Sequence, residues 1–296
     1  MAHTAYLGTG LLGSGFVYAA VKRGDHVTVW NRTVEKALAL EPLGVRVAAT
    51  PAEAVRGASR VHLVLKDDEV VEAVIGALRP GLAHDTIIID HTTTLPAVTA
   101  ERARRLNAEG VRYLHCPVFI GPAAARESQG TILVSGPEAL FDAVRGELAH
   151  MASRVEYFGE RPDLAAVYKL IGNAFIIGIN ALVSDVLTMA AASHVGPAEA
   201  LRILEFFNPS AVIAGRGRNM AVGDYTPSFE LVMARKDIGL MIETAGDAPL
   251  AALPSIAHRM DELIAEGHGQ EDLAVIGRDA LAPTRESFFA TGQRPQ

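Results

Sequence analysis

Lys169 and Asn173 stand four residues apart in the segment "YKLIGN", which lies inside a long apolar stretch. Four residues is one helical turn, so an ammonium and an amide on that spacing can reach one small ligand together. Asn180 and Ser184 continue the line. At about 100° per residue the four side chains fall within an arc of about 60°, with Asp185 on another side. Hydride added to a ketone or aldehyde carbon leaves an oxyanion, and a positioned ammonium can polarise the carbonyl and deliver the proton. Partial burial lowers a lysine pKa and suits it to proton exchange. The alternative open at this point is that Lys169 only extends its charge to water while Asn173 ties two helices together.

A second set of residues opens the chain. "GTGLLG", residues 8 to 13, follows a short apolar run, precedes a helical stretch and leads to an alternating strand, "HVTVW", at 26–30. That context is the one a dinucleotide-binding fingerprint needs. Gly8 would allow the tight turn, Gly10 the approach of a pyrophosphate, and Gly13 close packing of helix on strand, with Leu11 and Leu12 completing the cofactor loop. At the end of the second strand, where an acid would bind a ribose 2′-hydroxyl, the chain reads Asn31, Arg32 and Thr33. Arg32 would attract a 2′-phosphate, with Asn31 and Thr33 as hydrogen-bond partners, so the expected cofactor is NADP(H).

The elements that must hold these residues change character along the chain. Strand candidates at 5–7, 26–30, 45–48, 60–65, 86–90, 111–118, 131–136 and 154–158 alternate with helices, a pattern that predicts one parallel sheet wound on both faces. "TPAE" at 50–53 carries the marks of a helix start. After Pro162 the strand signals nearly vanish, and helices are expected over 162–194, 197–207, 209–222, 228–246, 250–266 and 270–281, with a loosely held tail from Pro283. The expected fold is α/β: a Rossmann doubly wound sheet over 1–161, and an all-helical substrate and dimerisation domain over 162–296 joined by a long interdomain helix. That first helix would run roughly 48 Å and is apolar on nearly all sides, so a second subunit is expected to cover it.

Composition narrows the classes further. The chain has 296 residues, 49% of them hydrophobic and 21% charged, a net charge of −7 and no Lys/Arg block. A nucleic-acid partner is not expected, because phosphate binding needs clustered positive charge. One cysteine, Cys116, excludes an intrachain disulfide and multi-cysteine zinc sites, and no His/Asp/Glu spacing resembles a metal site. No basic segment followed by an apolar run opens the chain, and a cytoplasmic protein is expected. Leu170 to Ala192 is 23 residues long with one charge, Asp185, and is read as a buried helix in preference to a membrane span. His91 and His115 are read as hydrogen-bonded structural histidines and Cys116 as a small buried apolar residue.

"GTGLLGSG", "VTVWNRT", "DHTTTLP", "HCPVFIGPAAARESQGTILVSG", "YKLIGN" and "ARKDIGL" occur in that order over about residues 4 to 282. Together they resemble the β-hydroxyacid dehydrogenases, the family of 3-hydroxyisobutyrate dehydrogenase and the glyoxylate/succinic semialdehyde reductases, and their relatives the imine reductases. The resemblance implies that Lys169 is the catalytic lysine and Asn173 a substrate-orienting asparagine. It implies that Leu65 and Lys66 meet the cofactor through backbone, that Thr93 lies beside the nicotinamide ribose, that Lys236 closes over the cofactor, and that the protein is a homodimer or homotetramer. The substrate segment would be Val118, Phe119, Ile120 and Gly121. Here the chain departs from the family: "HCPVFIG" at 115–121 replaces "DAPVSGG", so Phe119 and Ile120 stand where a serine and a glycine help hold a carboxylate. That points to a bulkier or less polar carbonyl compound than a short hydroxyacid, or to a carboxylate held another way. Imine reductases usually carry Asp, Tyr or Asn where this chain has Lys169, and a cationic lysine suits a carbonyl oxygen better than an iminium. Carbonyl reduction by NADPH is therefore ranked first and imine reduction or reductive amination second. A non-catalytic NADP-binding sensor comes third, since it leaves Lys169 and Asn173 unexplained.

Overall fold

The structure is a computed structural model of the chain, describing residues 3–281; the tail from Pro283 lies outside the described residues. The chain divides into two compact units, the first running to Ala174 and the second beginning at Phe175.

The first unit starts with β1 (His3–Leu7), α1 (Leu11–Lys22), β2 (His26–Trp30), α2 (Val34–Leu38), β3 (Arg46–Val47), α3 (Pro51–Val55), β4 (Arg60–Leu63), α4 (Asp68–Leu78), β5 (Ile87–Asp90), α5 (Pro96–Ala108) and β6 (Arg112–His115). The six strands form one parallel sheet in the order β3-β2-β1-β4-β5-β6, so the chain reverses direction across the sheet between β1 and β4. Successive side chains of a strand point to opposite faces. Tyr6, Ile87 and Ile89 accordingly enter one core with Phe16 and Val29, while Ala5, Leu7 and Ile88 enter the other with Val61, Leu63 and Ile75. At α3 the expected start is realised in full. Thr50 Oγ1 accepts from the Glu53 N–H at 3.1 Å, and the Glu53 carboxylate reaches back to the Ala49 N–H at 3.2 Å.

One expectation needs correction. Residues 111–118 are not a single strand: β6 stops at His115, and after Pro117 the chain begins a second, three-stranded sheet. That sheet consists of β7 (Val118–Phe119), β8 (Thr131–Val134) and β9 (Arg154–Tyr157), with α6 (Pro122–Arg126) and α7 (Glu138–Met151) between its strands. β7 pairs antiparallel with β8, and β8 parallel with β9. Pro117 has no N–H to give the ladder, which accounts for the break and for the turn of β7 away from the parallel sheet.

α8 (Leu164–Ala192) runs from the first unit into the second. Within the second unit follow α9 (Pro197–Leu201), α10 (Pro209–Val222), α11 (Leu231–Ala245), α12 (Leu253–Ala265) and a 3-10 segment from Leu273. Its core is the α11–α12 pair, where Leu231, Ala234 and Ile238 meet Leu253, Ala257 and Met260. Two buried carboxylates staple this unit. Asp185 of α8 accepts the N–H groups of Ala251, Ala252 and Leu253 at 2.6–2.9 Å, which caps the start of α12. Asp272 accepts from Ser228, Phe229 and Ala274 and pairs with Arg216. These donors stabilise the ionised form and hold both carboxyl groups below the usual range against the opposing effect of burial.

Among the described residues α8 is the one helix long and apolar enough to cross a membrane, by length and composition alone. The chain itself buries only 6% of its most apolar 18 residues. The stripe read along it also divides. Lys169 and Asn173 are half-buried, whereas Asn180 and Ser184 are exposed, the Asn180 amide turning back to the Ile176 carbonyl.

Candidate functional site

The glycine loop lies at the carboxyl ends of β1 and β4. Gly8 has φ +101°, and a Cβ on it would stand 2.2 Å from the Val64 carbonyl oxygen. A Cβ on Gly13 would stand 2.0 Å from the Gly8 carbonyl oxygen. Both positions are closed to side chains by backbone alone. Gly10 differs: a Cβ there would meet nothing within 4 Å. Gly10 is also the N-cap of α1 and supplies no side-chain bond to the helix, so the first-turn N–H groups face open space. That is a fitting cradle for a diphosphate.

The cleft beside this loop has a volume of about 750 Å³ and is lined by Gly8, Gly10, Trp30, Asn31, Arg32, Thr33, Leu65 and Lys66, together with Lys36. It therefore gathers the fingerprint, the end of β2 and the end of β4. Arg32 is exposed and makes no ion pair with another described residue of the first unit. The Asn31 amide is engaged on both of its ends. Its Oδ1 accepts from the Thr9 N–H at 2.9 Å and its Nδ2 donates to the Thr33 carbonyl at 2.8 Å, so its amide stitches the glycine loop to the turn before α2. Leu65 donates its N–H to Thr92 Oγ1 at 3.1 Å, and Lys66 pairs with Asp67 at 3.2 Å. Leu11 is 81% exposed, and Leu12 packs on the core beneath the loop.

Thr93 is exposed on the loop after β5, and buried polar groups fix that loop from below. Asp90 accepts from the Thr92 N–H at 2.9 Å and from the Tyr113 hydroxyl at 2.8 Å. His115 Nε2 donates to the Thr92 carbonyl at 3.0 Å, and His91 Nδ1 donates to the Cys116 carbonyl at 2.7 Å. Burial and the neighbouring His62 push His91 down to about 3, so it is neutral at ordinary pH. Both histidines, and buried Cys116, have the structural places read for them.

Lys169 Nζ donates to Asn173 Oδ1 at 3.0 Å and sits 4.3 Å from the centroid of the Phe119 ring. Burial lowers the Lys169 pKa from the usual lysine range. Among the described residues of the first unit no carboxylate forms an ion pair with it. Of the substrate segment, Phe119 and Ile120 are half-buried, Gly121 is exposed at the start of α6, and Val118 is 5% exposed within the core. Lys236 lies on α11 in the second unit and pairs with Asp237 at 2.9 Å. Sequence reasoning did not single out Lys36 or Thr92. The available signal for Lys36 was a second cation four residues after Arg32, across the start of a short helix.

Residues 3–159 match the family described as the NAD binding domain of 6-phosphogluconate dehydrogenase. The chain belongs to this family. Its fold is that of a β-hydroxyacid-dehydrogenase-like, NAD(P)-binding oxidoreductase, structurally close to the imine reductases. An uncharacterised oxidoreductase from Shewanella frigidimarina is 28% identical over 265 residues, 86% of this chain and 90% of that protein. A 3-sulfolactaldehyde reductase from Escherichia coli is 26% identical over 290 residues, 93% of this chain and 95% of that one. The chain spans only 46% of another relative, the human cytokine-like nuclear factor N-PAC, at 28% identity over 260 residues. Among solved structures, an imine reductase from Myxococcus stipitatus in complex with NADP+ superposes with a TM-score of 0.83 at 20% identity, covering 93% of this chain and 99% of that one. A reductive aminase from Aspergillus terreus in complex with NADPH4, cyclohexanone and allyl amine gives 0.83 at 24%, covering 93% and 98%.

The family's glycine loop divides into positions of two kinds, and they respond differently to a methyl group. Gly13→Ala forces backbone apart and is expected to lower the stability of the first unit by about 1–3 kcal/mol, measured by urea unfolding. Gly10→Ala should leave stability within about 0.5 kcal/mol and weaken binding of NADP+ by fluorescence titration. Equal unfolding penalties for the two substitutions would contradict this division.

Proposed function

We propose that the protein is an NADPH-dependent reductase of carbon–nitrogen double bonds, an imine reductase or reductive aminase, acting on substrates with an apolar flank. The solved structures it is similar to support this reading, the Aspergillus terreus reductive aminase complex among them. The observation that carries it is the setting of Lys169, which among the described residues of the first unit meets an amide oxygen and a phenyl face and pairs with no carboxylate. A short carboxylate would find no hydroxyl donor at Phe119 or Ile120. An apolar ring would find surface to cover.

NADPH supplies the hydride when bound. The chain's own residues handle the proton. Lys169 in its ammonium form donates to the nitrogen of a neutral imine, so the positive charge passes from lysine to substrate and the two cations never coexist. This removes the like-charge objection that ranked carbonyl reduction first, and the lowered pKa makes the ammonium a better matched acid. Asn173 Oδ1 holds the ammonium in place, which leaves its Nδ2 for a second polar group of the substrate.

Carbonyl reduction is the second reading, favoured by the similarity to 3-sulfolactaldehyde reductase. Lys169 would then give its proton to the forming alkoxide. Oxidation of NADPH with cyclic imines, or with ketone plus amine, is expected to outrun oxidation with aldehydes; turnover of aldehydes alone would select the second reading. In either case Lys169→Ala should lower kcat by about 10²–10⁴-fold. Near-normal turnover with every good substrate would remove the proton-donor assignment.

Arg32, with Lys36 behind it, is the proposed seat of the 2′-phosphate. Arg32→Ala should weaken NADPH roughly ten- to hundredfold and leave NADH almost unchanged. Equal losses for both cofactors would contradict this.

The working form is proposed to be a homodimer or homotetramer of a cytoplasmic protein, in which a second copy covers α8. Large apolar side chains stand exposed on opposite sides of this helix, Phe175 (52% exposed) and Leu182 (45%) on one and Ile177 (69%) on the other, which is the surface a covering copy would bury. Asp185, bound to three backbone N–H groups, ties the same helix into the second unit and is out of place in a bilayer. Sedimentation at micromolar concentration should give at least a dimer; a stable monomer would contradict the proposal.

A further inference from the structure

We propose that Phe119 is a positioning residue that holds Lys169 in its protonated, aimed state, and that position 172 must be glycine to admit the Phe119 ring. This rests on the reading of Lys169 as proton donor, and deepens it.

Three observations meet at one ring. The backbone of Phe119 is clamped. β7 pairs with β8 at Phe119↔Thr131, and from that same side Gly130, with φ +104°, approaches so closely that a Cβ on it would stand 2.7 Å from the Phe119 carbonyl oxygen. The side chain then projects onto α8. A Cβ on Gly172 would lie 2.2 Å from Phe119 Cζ, 2.8 Å from Cε1 and 3.0 Å from Cε2, so the leading edge of the ring rests on helix backbone. Its face lies beneath Lys169 Nζ, 4.3 Å from the centroid. Lys169, Gly172 and Asn173 are spaced i, i+3 and i+4 and share one side of the helix. One ring thus has its edge in a notch made by a missing side chain and its face under a cation.

Two opposed effects act on the same amine. Loss of water favours the neutral form. The negative face of the ring and the Asn173 amide oxygen favour the ammonium. Asn173 is the polar group facing the amine from its own helix, and Phe119 faces it from β7. No carboxylate of the first unit is paired with it among the described residues. With no counter-ion to dominate, an aromatic face becomes a large fraction of what keeps the donor charged.

The chain has five lysines, few enough to follow by NMR after reductive ¹³C-methylation of the full-length protein, with the Lys169 signal assigned through Lys169→Arg. Phe119→Leu keeps the bulk and removes the ring. The Lys169 titration midpoint should fall by about 0.5–1 unit. Phe119→Tyr keeps a ring and should hold the midpoint within about 0.3 unit. Gly172→Ala, a better helix former, should displace the ring and lower the midpoint as Phe119→Leu does. A rise in Phe119→Leu, as expected if the ring only excludes water, would overturn the proposal, as would an unchanged midpoint. The alkaline limb of the kcat/KM profile provides the separate check on the donor role. If the titration shifts and that limb does not follow it, the ring holds the lysine but the lysine is not the proton donor.

Discussion

The proposed site depends on a single constraint, an ammonium group held half out of water with no carboxylate of the first unit paired to it among the described residues. Lys169 has an amide oxygen at 3.0 Å and a phenyl face at 4.3 Å. Neither neutralises it, and burial leaves its proton less tightly held than that of a lysine in water. Keeping such a group in place takes rigid support on two sides. α8 supplies one side, with Lys169 and Asn173 one turn apart on a helix of 29 residues. The short sheet β7-β8-β9 supplies the other, carrying Phe119 on a strand that Pro117 has separated from the parallel sheet.

The glycine cleft works through backbone. Contact with neighbouring carbonyl oxygens closes Gly8 and Gly13, and only Gly10 opens outward. The uncapped start of α1 leaves N–H groups directed at that opening, an arrangement that suits a diphosphate and costs the helix a capping bond. Side chains then tune the cleft: Arg32 and Lys36 give it positive charge where β2 ends, and the Asn31 amide locks the loop to that end. Beneath Thr93, the hydrogen-bonded set of Asp90, Tyr113 and His115 fixes the loop after β5. Rigid loops at the carboxyl ends of parallel strands are where an open α/β sheet receives its ligand.

Much of this was legible in the sequence because it depends on local pattern. The strand "HVTVW" has the bounds read for it, the Thr50–Glu53 capping pair forms, and the order of helices after residue 162 follows their periodicity. Contacts between distant segments were not legible. Nothing local marks the Asn31 amide as a link to Thr9, 22 residues away, or Thr92 as the partner of the Leu65 N–H. The four-residue stripe on α8 was geometrically sound, yet periodicity reports only which side a residue occupies. Lys169 and Asn173 have Phe119 across from them, while Asn180 and Ser184 face solvent. Val118 was read with the substrate segment and lies in the core, because in a strand neighbouring side chains point oppositely and Phe119 takes the open face. The break at Pro117 was readable in principle, since proline cannot donate to a ladder, but the apolar run on both sides of it masked the signal.

The most direct test of the account is a crystal structure of the protein with NADP+ and a non-reducible imine or amine product bound. The account predicts Lys169 Nζ within hydrogen-bond reach, about 2.6–3.2 Å, of the substrate nitrogen, with the adjacent carbon over the nicotinamide C4 and the Phe119 ring still beneath the ammonium. A lysine turned into bulk water, or separated from the reacting atom by the phenyl ring, would contradict it.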